Sequence, residues 1–203
     1  MTFLQDENSV GAAASILRRA LRADPFYCAI TVDFDNREDA RNETLQSYFE
    51  FSIEEAARCG DRLHISLRAV AIWRTNLDPD VAEASTERKH QRLLSVLGPS
   101  GRTNYRKMVH ALREATPTTL GPEDWYLSIL GVAPEHQGEG LGRTVLRDGL
   151  FAADHTKKRC FLETFNERSV PFYEALGFST VGQGTDAVTH SKFWVMARPA
   201  VRP

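Results

Sequence analysis

Only three cysteines occur in the 203 residues, Cys28, Cys59 and Cys160. They are widely spaced and form neither a CxxC pair nor a Cys/His cluster at metal-ligand spacing, which argues against a disulfide scaffold and a zinc site, so no metal is expected. The six histidines, His64, His90, His110, His136, His155 and His190, show no metal or triad spacing either. No stretch approaches the roughly 18 consecutive apolar residues that a membrane span requires. The N-terminus carries Asp6 and Glu7 and no basic segment ahead of an apolar run, so it does not read as a secretory signal. With 25 Lys+Arg against 27 Asp+Glu the net charge is −2, leaving no basic excess to neutralise phosphates along a nucleic acid. Repeats, low-complexity segments and blocks of like charge are also missing. The expectation is a cytoplasmic protein with no nucleic-acid and no membrane partner.

A composition of 42% hydrophobic and 26% charged residues over this length suits one compact domain. Val10, Ala13, Ile16, Leu17, Ala20 and Leu21 recur at helical spacing after Asn8-Ser9, and Pro25 ends that helix. A second helix is expected from about Asn36 to Arg58, stopped by Gly60. Residues 62–73 read as one or two strands, with no Gly, Asn or Asp between them to supply a hairpin turn. Residues 77–118 return to helical character, broken at Gly98-Pro99-Ser100-Gly101 into two helices. There follow a strand over 125–132, a helix from Leu141 to about Ala153, a short strand over 160–164, a short helix over about 169–176, and closing strands at 178–181 and 191–196. The order is mixed α/β, and chemistry is to be sought where a strand runs through a glycine-rich turn into a helix.

That turn is Gln137-Gly138-Glu139-Gly140-Leu141-Gly142-Arg143, after the strand Trp125–Val132 and Ala133-Pro134-Glu135-His136. Alternate glycines at a helix start expose backbone N–H groups, and the helix dipole favours an anion there; a diphosphate is the natural guest. Spacing rejects two other phosphate loops. The dinucleotide fingerprint G-x-G-x-x-G would need glycine where Arg143 stands, and a Walker loop would need a lysine that is not there. By itself a Gly-x-Gly turn is more economically structural.

The sequence Gln137-x-x-Gly140-x-Gly142 resembles the acyl-CoA pyrophosphate loop of the GNAT acetyltransferase superfamily. A second segment repeats the likeness: Phe161-Leu162-Glu163-Thr164, Asn166, then Val170-Pro171-Phe172-Tyr173-Glu174-Ala175-Leu176-Gly177-Phe178 is similar to that family's fifth strand and following helix. Within the superfamily the nearest likeness is to the puromycin N-acetyltransferase group, carried by Trp125-Tyr126-Leu127, Gly131-Val132, Phe161–Thr164 and Pro171–Phe178, and more weakly by Thr31-Val32-Asp33 and Val70-Ala71-Ile72-Trp73. The family's first strand is reduced here to Thr2-Phe3-Leu4. The resemblance implies a single-domain GNAT fold, a central mixed twisted sheet flanked by helices, with a splay between the strands near 125–132 and 160–164. It divides the chain into a variable acceptor-side half, 1–120, and an acyl-CoA-binding half, 121–203.

The resemblance also implies a reaction, acetyl transfer from acetyl-CoA as co-substrate to a primary amine, a small-molecule acceptor being favoured. A protein or peptide amine, or a non-catalytic acyl-CoA-binding module, is the alternative. Leu130, Gly131 and Val132 are expected along the pantetheine arm. Gln137, Gly138, Glu139, Gly140, Leu141, Gly142, Arg143 and Thr144 are expected around the pyrophosphate, with Asn166 a further cofactor contact. Tyr173 matches the tyrosine that protonates the departing thiolate and is also counted among the cofactor contacts; a tyrosine between Phe172 and Leu176 is otherwise a core residue with its hydroxyl at the rim. Glu163 is the carboxylate expected in the catalysis beside Tyr173, while the base itself is left among Glu163, Glu123, Asp124 and a water chain.

Overall fold

The computed structural model describes residues 7–75 and 78–201. Helices α1 (Glu7–Leu21), α2 (Pro25–Ile30) and α3 (Glu38–Arg58) precede the hairpin β1 (Arg62–Ile65) and β2 (Ala69–Arg74). Two further helices, α4 (Pro79–Val96) and α5 (Pro99–Ala115), lead to β3 (Trp125–Val132), α6 (Leu141–His155), β4 (Cys160–Thr164), α7 (Val170–Glu174), β5 (Ser179–Thr185) and β6 (Lys192–Arg198). The six strands form one sheet in the order β1-β2-β3-β4-β6-β5. Its neighbours are antiparallel except β3 and β4, so the sheet is mixed, as expected. The strand expected at Thr2–Leu4 lies outside the described residues. No helix among the described residues is long and apolar enough to cross a membrane.

Local chemistry explains two elements that the sequence pattern left open. The β1–β2 turn dispenses with glycine because the Ser66 hydroxyl accepts the N–H of Ala69 at 2.9 Å and that of Arg68 at 3.3 Å, while the Ser66 N–H donates to the Ala69 carbonyl at 2.9 Å. Helix α2 was not anticipated. Asp24 caps it, accepting the Phe26 N–H at 2.9 Å, and Pro25 occupies its first turn, where no N–H is needed.

A bulge in β3 divides the core. Ile72 pairs with Ile129 but the next residue, Trp73, pairs with Leu127, so Ser128 is the extra residue. Side-chain parity therefore inverts along the strand. Trp125 and Leu127 join Ala69, Ala71, Trp73, Leu146 and Leu162 on one face, under α6. Ile129 instead joins Val70, Ile72, Leu17, Phe49 and Ile53 on the other, under α1 and α3. Each face buries its own apolar cluster, and both halves of the chain contribute to the sheet between them.

The start of α5 is held from a distance. Its N-cap is Gly98, which has no side chain to offer, and Asp33 Oδ2 accepts the N–H groups of Ser100 at 2.8 Å and Gly101 at 3.0 Å instead. A Cβ on Gly98 would lie 2.3 Å from that oxygen, so glycine is required for the approach. These N–H donors, that of Gly101 foremost, hold the Asp33 carboxyl below the usual aspartate range. Stabilisation by such a group is complete above its unfolded-state pKa and is lost as pH falls through the folded value. Replacing Asp33 by Ala should therefore cost about 1 kcal/mol at pH 7, as loss of a capping group does. The difference from wild type should shrink below about pH 4. Urea midpoints at pH 7 and pH 3 check both statements.

Candidate active site

Parallel pairing between β3 and β4 lasts for three rungs, Trp125 with Cys160, Tyr126 with Phe161 and Leu127 with Leu162. It stops at the bulge. Beyond Ser128 the strand stays with β2 as far as Val132 opposite Ala69, and its other edge parts from β4. The Ala133 N–H donates to the Arg68 carbonyl on the β2 side at 2.8 Å. By alternation, Val132 and Leu130 direct their backbone groups to the opposite, open edge. The Val132 carbonyl there accepts from Gln137 Nε2 at 3.1 Å, the brace between strand and loop. Gly131 directs its backbone groups to β2, and on the sheet face under α1 a Cβ on it would come within 2.7 Å of Leu17.

The glycine loop is shaped by backbone angles rather than crowding. Gly138 and Gly140 have φ of 87° and 78°, and a Cβ on either would meet nothing within 4 Å. Gly142 has a different reason, since its Cβ would press within 3.1 Å of the Phe172 ring. Gly140 is the N-cap of α6 and supplies no side-chain cap to the N–H groups of the first turn. Thr144 closes that turn, its N–H donating to the Gly140 carbonyl at 3.1 Å and its hydroxyl at 3.3 Å. Glu139 pairs with the His136 ring at 3.1 Å, and Arg143 reaches the Ala175 carbonyl at 3.5 Å. Exposed, uncapped N–H groups at the positive end of a 15-residue helix form a cradle of the kind a diphosphate fills, and the open space beside Gly138 and Gly140 leaves room for one. These residues fit the acyl-CoA pyrophosphate.

Where the strands part, a cavity of about 940 Å³ opens. Tyr126 to Leu130 of β3 and Phe161 and Glu163 of β4 line one side, Asp24, Phe26 and Tyr27 of the α2 segment another, and Lys89 of α4 with Tyr105 and Arg106 of α5 a third. Of the residues expected from sequence, Leu130, Glu163, Asn166 and Tyr173 line it; Gln137 to Thr144 lie outside it, beyond the C-terminal end of β3. Tyr173 is buried, and burial first, then the charge of Asp24, pushes its phenol well above the usual tyrosine range, so it carries its proton. Glu163 accepts a 2.5 Å hydrogen bond from the Tyr126 hydroxyl, whose ring stacks on Phe161 with centroids 4.8 Å apart. Burial raises the Glu163 carboxyl even though Tyr126 and Lys89 pull the other way. The Asn166 side chain accepts the Arg168 N–H at 3.1 Å, so it caps a short turn while bordering the cavity.

Two carboxylates considered for the acceptor side are placed elsewhere. Asp124 is buried in a two-point pair with Arg159, at 2.8 and 2.7 Å, and accepts the Gly121 N–H at 2.9 Å. Glu123 is largely exposed, 4.0 Å from the same arginine. Neither lines the cavity. Sequence reasoning missed Asp24, Lys89 and the aromatic residues of α2. The signal for Asp24 was the Asp-Pro pair at a helix start, which marks the cap but not the cavity beside it.

Residues 102–178 match the model of the acetyltransferase (GNAT) family. Over that segment the chain is similar to the GNAT acetyltransferases. The fold agrees. A histone acetyltransferase HPA2 and related acetyltransferase from Corynebacterium glutamicum superposes with a TM-score of 0.65 at 20% identity, covering 98% of this chain and 94% of that one. Arylalkylamine N-acetyltransferase 2 from Aedes aegypti superposes with a TM-score of 0.60 at 14% identity, covering 97% and 96%. At these identities the two likenesses speak for the fold. The reaction of the family is acetyl transfer from acetyl-CoA to an amine.

Gly140 tests the cradle at the start of α6. A β-branched residue at φ 78° is strained by about 1–3 kcal/mol, so Gly140→Val should either unseat the loop or lose its N–H array. Calorimetry should show CoA affinity falling at least about 10-fold with the far-UV spectrum unchanged. Retained affinity would remove the loop from the cofactor site.

Proposed function

We propose that the protein transfers acetyl from acetyl-CoA to a primary amine of a small molecule, directly, within a ternary complex. The observation that carries this reading is the cavity itself: it begins at the parted edges of β3 and β4 and is walled by side chains from α2, α4 and α5. Such a chamber suits a compact acceptor better than an extended polypeptide. The likeness in sequence to the puromycin-type acetyltransferases favours the same class.

In this reading acetyl-CoA supplies an acetyl group already activated as a thioester. The C-terminal half, 121–203, holds it, and the first half, 1–120, shapes the acceptor pocket. Main-chain groups of Leu130 and Val132 take the pantetheine arm along the open strand edge, with Gly131 lying between them beneath the arm, and displace the Gln137 brace from the Val132 carbonyl. Gln137, Gly138, Glu139, Gly140, Leu141, Gly142, Arg143 and Thr144 enclose the pyrophosphate, chiefly through N–H groups; hydrogen bonds to a charged group contribute roughly 1.5–3 kcal/mol each. Asn166 borders the arm. Tyr173 donates its proton to the departing sulfur: the phenol lines the cavity, is protonated at neutral pH and carries no positive charge. Glu163, held by Tyr126, places a carboxylate in the acceptor wall.

Removing the Tyr173 hydroxyl with Tyr173→Phe should lower kcat by about 10²-fold or more, as loss of a general acid does, with CoA affinity unchanged. Thiol release on a panel of small amines and peptides, run beside CoA calorimetry, reads both. Equal turnover in the variant would remove Tyr173 from the chemistry. CoA binding without thiol release from any acceptor would favour a binding module instead.

A further inference from the structure

We propose that Asp24 is the carboxylate that receives the acceptor's amino group and takes its proton as the C–N bond forms, and that the acceptor is a primary amine carried on an aromatic body. This rests on the transferase reading above. Asp24 stands between α1 and α2 and lines the cavity with Tyr173, and its charge reaches that phenol. It is fixed by its cap bond to the Phe26 N–H, so its carboxylate is held at the cavity wall with little rotamer freedom left to lose on binding.

Around it runs a continuous aromatic surface. Tyr48 of α3 meets Tyr27 edge to face with centroids 5.8 Å apart, Tyr27 meets Phe26 at 5.3 Å, and Phe26 meets Tyr105 of α5 at 5.9 Å. All four rings line the cavity. The Lys89 ammonium already sits 5.4 Å from the Tyr105 ring centre, which shows that this face accepts a cation. A flat apolar body against these rings and an amino group at Asp24 satisfy both features together. Glu163 is less suited to the amine, because one oxygen is taken by the Tyr126 hydroxyl at 2.5 Å and the charge of Lys89 already acts on its carboxyl.

The step balances. The ammonium first gives one proton to solvent; as the neutral amine nitrogen then bonds to the acetyl carbon and the C–S bond breaks, the nitrogen loses its second proton to Asp24 and the sulfur gains one from Tyr173. Asp24 then returns its proton to Tyr173, so the enzyme is restored and the products are an amide and a thiol. The titratable and charged groups that line the cavity with Asp24 are Tyr27 of the helix it caps, Tyr48 of α3, Arg74 of β2, Lys89 and His90 of α4, Arg102, Tyr105, Arg106 and Arg113 of α5, Tyr126 of β3, Glu163 of β4 and Tyr173 of α7. Burial pushes the Asp24 carboxyl up to about 6 against the pull of its backbone hydrogen bonds, so it ionises just below neutrality and serves as a base above that pH.

Asn caps a helix as well as Asp does, so Asp24→Asn separates the two roles. The probe is 2-phenylethylamine, titrated into the protein with and without CoA and used as acceptor with acetyl-CoA. Wild type should bind it saturably. In Asp24→Asn its affinity should drop at least 10-fold and kcat/KM about 10²-fold, with CoA affinity and the thermal midpoint unchanged. Because a free alkylamine itself titrates near 10, log kcat/KM in wild type should rise with a slope of about two below pH 6 and about one above, and with a slope of about one throughout in Asp24→Asn. Glu163→Gln should keep the break at pH 6. A variant with wild-type affinity and an unchanged break would leave Asp24 as a cap alone and overturn the proposal, and so would a wild-type protein that binds CoA but not the amine. Amine binding through Asp24 without CoA binding would instead support this site and defeat the transferase reading.

Discussion

The parting of β3 from β4 after three rungs is the constraint on which the site depends. A sheet in which both edges of β3 were paired would leave no free main chain and no room for a cavity. The extra residue, Ser128, lies immediately after the last paired rung, and an irregularity of that kind bends a strand and increases its twist. One edge of β3 stays paired with β2 from Tyr126 to Val132, interrupted at Ser128, so the open edge is held rigidly rather than frayed. Rigidity matters because hydrogen-bond donors that are already aimed need no reorganisation when a ligand arrives.

The two halves of the chain meet at this opening. From the C-terminal half come the uncapped start of α6, the short helix carrying Tyr173 and the far side of the gap, β4. From the first half come α2, α4 and α5, whose side chains enclose the cavity. Asp33 ties these together, because the turn that follows α2 caps α5. The placement of the aromatic wall therefore depends on a few hydrogen bonds far apart in sequence as well as on apolar burial.

Much of the frame was legible from residue patterns because its signals are local. The apolar periodicity of α1 and α3, the alternation of β3 and the Gly98–Gly101 break each lie within a few residues of the structure they dictate. The glycines at 138 and 140 are legible as a turn that bares backbone N–H groups; the positive φ at both is what the structure adds. What escaped reading is long-range. Ser66 forms its turn through a side chain that sequence rules for hairpins do not weigh, and Asp124 is committed to Arg159, 35 residues away. Asp24 carries a cap signal and a cavity position at once; the first is local, while the second depends on how α2 packs beside β3 and α5.

The inversion of parity at Ser128 has an outcome for how the strand tolerates change. Leu127 and Ile129 are two apart on one strand, a spacing that normally commits both to a shared layer. Here they serve opposite layers, one beneath α6 and the other beneath α1 and α3. Volume lost at one cannot be refilled by growth at the other, so each layer repacks independently, and the layer beneath α1 and α3 can drift in sequence without loosening the layer beneath α6.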